Sequence, residues 1–109
     1  MAVIFISEVQ KFLEELVPIL YENGYFSFEE NAQEYVDDLI DDIMDNLPTR
    51  RHKPAPPHFD RYGAGMYYAA FKKSKNTTWY AFFTKYLVNS EEIFLVRYIN
   101  NNHMIAQYL

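Results

Sequence analysis

Thr78-Trp79-Tyr80-Ala81-Phe82-Phe83-Thr84-Lys85-Tyr86-Leu87 and, after Val88–Glu92, Ile93-Phe94-Leu95-Val96-Arg97-Tyr98-Ile99 decide how this chain folds. Both runs are dense in β-branched and aromatic side chains, which suit a pleated, half-buried surface. Immediately upstream, Met66–Lys73 has the same character and is joined to Thr78 by the polar turn Ser74-Lys75-Asn76-Thr77. Connections this short link antiparallel neighbours, since a parallel crossover needs a much longer segment. The spacing thus predicts an antiparallel sheet of three to four strands. Asn100-Asn101-Asn102 reads as a turn into a last extended piece, His103–Leu109.

Such a sheet needs cover, and the first half of the chain supplies it. Ala32, Tyr35, Val36, Leu39, Ile40, Ile43, Met44 and Leu47 recur at the helical interval until Pro48 stops the run. Ser27 with Glu30 has the spacing of a capping box. An earlier stripe, Val9, Phe12, Leu13, Leu16, Val17 and Leu20, follows the same signal at Ser7 and Gln10. Pro18 removes its bond to the carbonyl of Glu14, and Asn23-Gly24 ends the helix. Val3-Ile4-Phe5-Ile6 reads as a short strand, and Pro54, Pro56 and Pro57 mark 48–65 as an ordered surface loop. The expected architecture is one α+β domain, residues 1–109: an N-terminal strand, a two-helix hairpin, then the sheet.

Composition narrows the function. The chain has 109 residues, half of them hydrophobic and 18% aromatic, the profile of a packed core. With no cysteine there is no disulfide, thiolate metal site or cysteine nucleophile. The apolar run Ala2–Ile6 is too short for a signal peptide and no segment reaches membrane-span length, so a cytoplasmic protein is expected. No glycine-rich phosphate loop, nucleophile elbow or HExxH motif occurs, and no cofactor is implied.

The net charge of −5 hides a division. Residues 1–47 carry twelve Asp/Glu against one Lys, a balance of −11; residues 48–109 carry nine Lys/Arg against three Asp/Glu, a balance of +6. Asp37, Asp38, Asp41, Asp42 and Asp45 lie at helical intervals and read as a solvated face rather than a metal site. His52 and His58 fall in the proline loop as surface residues, whereas His103 begins the last segment, across the turn from Arg97. In the second half Arg50, Arg51, Arg61, Lys72, Lys73 and Lys85 are interleaved with tyrosines. Cations neutralise phosphates and aromatic faces stack on unpaired bases, a mixture that suits single-stranded RNA. Regular alternation puts Phe94, Val96 and Tyr98 on one face of the last strand and Ile93, Leu95, Arg97 and Ile99 on the other. Arg97 is a lone charge in an apolar row, with the acidic helices expected behind the opposite face.

This order of elements, with Val96-Arg97-Tyr98-Ile99-Asn100 late in the sheet, resembles the RelE/ParE family of small bacterial toxins. Asn100 stands where histidine is common, and the strand from Thr78 has no basic residue before Lys85. The resemblance implies a toxin of a toxin–antitoxin module, with a cognate antitoxin as partner. A RelE-like member would cleave messenger RNA on the ribosome without a metal. Arg97 would then stabilise the phosphate transition state, His103 and Tyr108 would supply acid/base groups, and the other cations would hold flanking phosphates. The alternative is a non-enzymatic ParE-like toxin that engages gyrase or another protein, or an inactive descendant.

Overall fold

Strands and helices segregate into two layers in the computed structural model, which describes residues 1–109. The chain runs β1 (Ala2–Phe5), α1 (Ser7–Glu22), α2 (Glu29–Asn46), β2 (His52–Pro54), β3 (Tyr67–Lys72), β4 (Thr78–Val88), β5 (Glu91–Asn101) and a short α3 (Asn102–Ile105). The sheet has five strands in the order β1-β5-β4-β3-β2. β2, β3, β4 and β5 pair antiparallel, but β1 lies parallel to β5, from Ala2 opposite Ile93 to Phe5 opposite Val96. The α+β class holds, while the expected all-antiparallel sheet of three to four strands is corrected to a mixed one of five. β1 reaches β5 through a long connection, so no tight turn dictates its direction. β2 falls inside the proline loop, where Pro54 ends an edge strand and its missing N–H leaves no ladder bond unmade.

The helical hairpin covers one face of the sheet. Val9, Leu13, Leu16 and Val17 of α1 and Ala32, Val36, Leu39 and Ile43 of α2 are buried against Phe71, Trp79, Phe83, Phe94, Val96 and Ile99. Removing a side chain such as Leu39 from water contributes about 1.5–3 kcal/mol. Trp79 locks the layers together: it meets Phe12 edge-on, and its indole N–H donates to the Tyr35 hydroxyl at 2.9 Å. Met44, expected in the stripe, is exposed.

Helix starts depart from the expected caps. Neither Ser7 nor Ser27 caps; Ile6 and Phe28 occupy the N-cap positions without side-chain bonds. At α1 the reason is the sheet, because the Ile6 N–H still bonds the Val96 carbonyl and the helix begins directly after it. Gln10 does reach back, donating to the Phe5 carbonyl at 2.8 Å. Gly24 adopts φ +78° after α1, as the Asn-Gly signal implied.

Two further corrections concern the second half. The segment 103–109 is helical: α3 is followed by a 3₁₀ turn, Ala106–Tyr108. The Asn101 side chain accepts from the Met104 N–H at 3.3 Å, a cap that turns the chain as β5 ends. The alternation along β5 is also interrupted. Phe82 faces Tyr98 and Phe83 faces Val96, so Arg97 is an extra residue, a β-bulge. Ile99 therefore joins Phe94 and Val96 in the core under the helices, and Tyr98 packs in a separate cluster on the opposite face with Phe59 and Phe82.

Candidate nucleic-acid interface

The sheet face away from the helices is only partly covered. A 3₁₀ helix, Pro57–Tyr62, folds back over it and drives Phe59 onto Phe82 at 4.3 Å between ring centroids. Ile105 of α3 completes this small cluster. Beside it Tyr62 stacks on Tyr98, with ring centroids 3.9 Å apart and planes 7° from parallel. The stack lines a groove of 520 Å³ together with Arg97, Arg61 and, from the start of α1, Glu8 and Val9.

The bulge sends the Arg97 side chain to this face. Its Nε donates to Thr84 Oγ1 at 3.0 Å and an Nη donates to the Tyr86 hydroxyl at 3.0 Å, both neutral acceptors. The chain's ion pairs lie elsewhere: the N-terminus with Glu91, Arg50 with Asp42, and Lys85 with Glu92. Arg97 is thus positioned by hydroxyls while its charge is left unneutralised. The acidic helices are not wholly behind the sheet as expected, since Glu8 lines the groove, yet no carboxylate lies within ion-pair distance of Arg97.

Gly63 lets the loop close over this arginine. A Cβ at that position would come 2.7 Å from Arg97 Cδ, and its φ of +156° is one that side chains rarely adopt. Arg61 is steadied by donation from Nε to the His58 carbonyl at 3.2 Å. The Tyr98 phenol titrates above its ordinary value of 10.0, chiefly through burial. Neighbouring Tyr62 reinforces the rise, and donation from Asn100 together with the Arg61 charge partly opposes it. Tyr98 accordingly stays a neutral phenol at physiological pH.

The other residues singled out in the sequence disperse. His103 is exposed beyond the end of β5, with Nε2 3.2 Å from Thr77 Oγ1, and lines an apolar groove next to Trp79. Arg97 precedes the end of β5 by four residues, about 13 Å of extended chain. Tyr108 stacks on His58, with centroids 3.7 Å apart, and so pins the C-terminus to the Pro57–Tyr62 helix. Neither is brought to Arg97. Arg50 reaches Asp42 at 3.3 Å and lies over Phe71; Lys73 lies over Tyr35; Lys85 pairs with Glu92 and lies over Phe94. These three are engaged by the helix-facing side of the sheet. Arg51 lines a further groove on the open face together with Lys53, Tyr68 and Tyr80, and alternation places exposed Lys72 on the same face.

Sequence reasoning missed the Arg61–Tyr62–Tyr98 grouping and the two hydroxyls that hold Arg97. The Pro-Pro pair followed by Phe59 and Tyr62 at a three-residue spacing was the available signal, since 3₁₀ side chains eclipse at that interval. No protein-family model, curated protein or solved structure matches the chain.

Proposed function

We propose that this protein acts on RNA through the sheet face opposite its acidic helices, as the toxin of a toxin–antitoxin module and in the manner of a RelE-like, ribosome-dependent endoribonuclease of the cytoplasm. The observation that carries the reading is Arg97: a guanidinium held by Thr84 and Tyr86, without a carboxylate partner, in an open groove beside Arg61. A phosphate in that groove would meet two cations, with the Glu8 carboxylate also in its lining, and a flanking unpaired base would find the Tyr62–Tyr98 stack. Should the bound strand be cleaved, the phenol placed to move protons is Tyr86, which already touches the Arg97 guanidinium. An antitoxin with an acidic or amphipathic tail would neutralise the protein by covering this face.

Neither His103 nor Tyr108 lines the Arg97 groove, which favours a second reading, in which the same face binds its target without cutting it. Fluorescence anisotropy with a short single-stranded RNA separates binding from its absence, and primer extension on ribosome-bound message after induced expression separates cutting from binding. Arg97→Ala is expected to weaken RNA binding at least tenfold and to abolish growth arrest, with a stability change of roughly 1 kcal/mol or less. Unchanged RNA affinity in a folded Arg97→Ala protein would sink the RNA reading. Binding and growth arrest without cleavage would select the non-enzymatic one.

A further inference from the structure

The groove beside Trp79 is built from distant parts of the chain. The second half of α1, the connection after it, Tyr35 of α2, the turn between β3 and β4, the end of β5 and α3 all contribute to its lining. It encloses 600 Å³. Small-molecule sites typically measure about 300–1,000 Å³ and combine apolar walls with a few polar groups. With the Arg97 groove it shares Phe12 alone, so its occupant is a separate matter from the RNA reading.

The lining selects by charge and by shape. In a chain that is 23% charged, no Asp, Glu, Lys or Arg lines this groove; Lys73, over the Tyr35 ring, is outside the lining. A charged ligand would leave water here without a counter-ion, at a cost that a neutral one avoids. Five rings take part, those of Phe12, Tyr25, Phe26, Tyr35 and Trp79, and rings prefer flat partners that stack or meet them edge-on. At the rim Tyr25 is 72% exposed and Met104 61%, apolar surface that an occupant would cover.

The polar groups narrow the class further, because those left over are donors. The Tyr35 oxygen accepts from the Trp79 indole at 2.9 Å, which frees its own proton to be given away. Asn101 Oδ1 accepts the Met104 N–H at 3.3 Å, and its Nδ2 donates to nothing in the chain. We infer that this groove binds a small, flat, uncharged heteroaromatic molecule. Its ring lies among the aromatic side chains, and its ring-nitrogen or carbonyl acceptors take the protons of Tyr35 and Asn101. Free nucleobases and pyridine carboxamides have this chemistry.

Trp79 is the chain's one tryptophan, so its emission reports on this groove. Titration with adenine is expected to change that emission saturably. Asn101→Asp keeps an oxygen to cap α3 but replaces the donor with a negative charge, and should weaken adenine binding at least tenfold with unchanged circular dichroism. Arg97→Ala should bind adenine as the parent does. In thermal melts of the parent, nicotinamide should raise the Tm and nicotinate, an anion of nearly the same shape, should not. Failure of both adenine and nicotinamide to bind overturns the proposal, as does equal stabilisation by nicotinate. Adenine binding that survives Asn101→Asp, or is lost in Arg97→Ala, places the ligand elsewhere and overturns it too.

Discussion

Two side chains at the groove are governed by opposite demands. Arg97 is held by hydroxyls, which leave it without a counter-ion, and Tyr98 keeps its proton because half-burial disfavours the phenolate. The second fact has a measurable sign. A phenol whose folded pKa exceeds its unfolded value binds more protons in the native state, so its contribution is complete below pH 10.0 and is lost as pH rises through the folded pKa. Folding stability above pH 10 should therefore fall less steeply in Tyr98→Phe than in the parent, and the last phenolate absorbance step of the parent should vanish in that variant. Identical alkaline profiles would mean that Tyr98 is not held neutral by its surroundings. Arg97 itself was legible in the sequence as a lone cation in an apolar row. Its neighbours were not, because Arg61 and Tyr62 reach it through a 3₁₀ helix that folds back over the sheet from a proline-rich stretch.

Among the elements, periodic ones were the easiest to read. The stripe of α2 and the aromatic strands stand out because each repeats its own period across many residues. The parallel pairing of β1 was hidden, since nothing local in Val3-Ile4-Phe5 encodes a partner some ninety residues away. The helical C-terminus was hidden too: an asparagine can cap a helix as readily as it makes a turn, and Asn101 does the former. α2 is the element on which the layers depend, with Leu39 and Ile43 fully buried. Leu39→Ala or Ile43→Ala should each cost about 2–5 kcal/mol in urea melts. A loss under about 0.5 kcal/mol, the range of surface substitutions, would remove α2 from the core.

At the scale of the whole molecule, the charge division in the sequence becomes a division in space. The −11 half forms the helical layer, and the open sheet face opposite carries Arg51, Lys53, Arg61, Lys72 and Arg97. An RNA strand would then sense one side of a protein whose net charge is −5. Its binding should weaken with salt, and removing one phosphate contact by Arg61→Ala should lower the log–log slope by roughly 0.7. Asp38→Asn with Asp41→Asn, on the far layer, should leave that slope unchanged. Equal effects from the two sets would show that net charge, and not sidedness, governs the encounter.

The bulge in β5 has one more consequence. Val96 faces Phe83 and Tyr98 faces Phe82, so the ladder passes over Arg97 without giving it a partner. Were position 97 deleted, Val96 and Tyr98 would become consecutive rungs. Phe94, Val96 and Ile99 would still point inward, with Leu95 and Tyr98 outward, as plain alternation requires. The architecture thus has a supernumerary position: a strand one codon shorter would satisfy it equally well. What the extra codon adds is a guanidinium on the open face, held there by Thr84 and Tyr86.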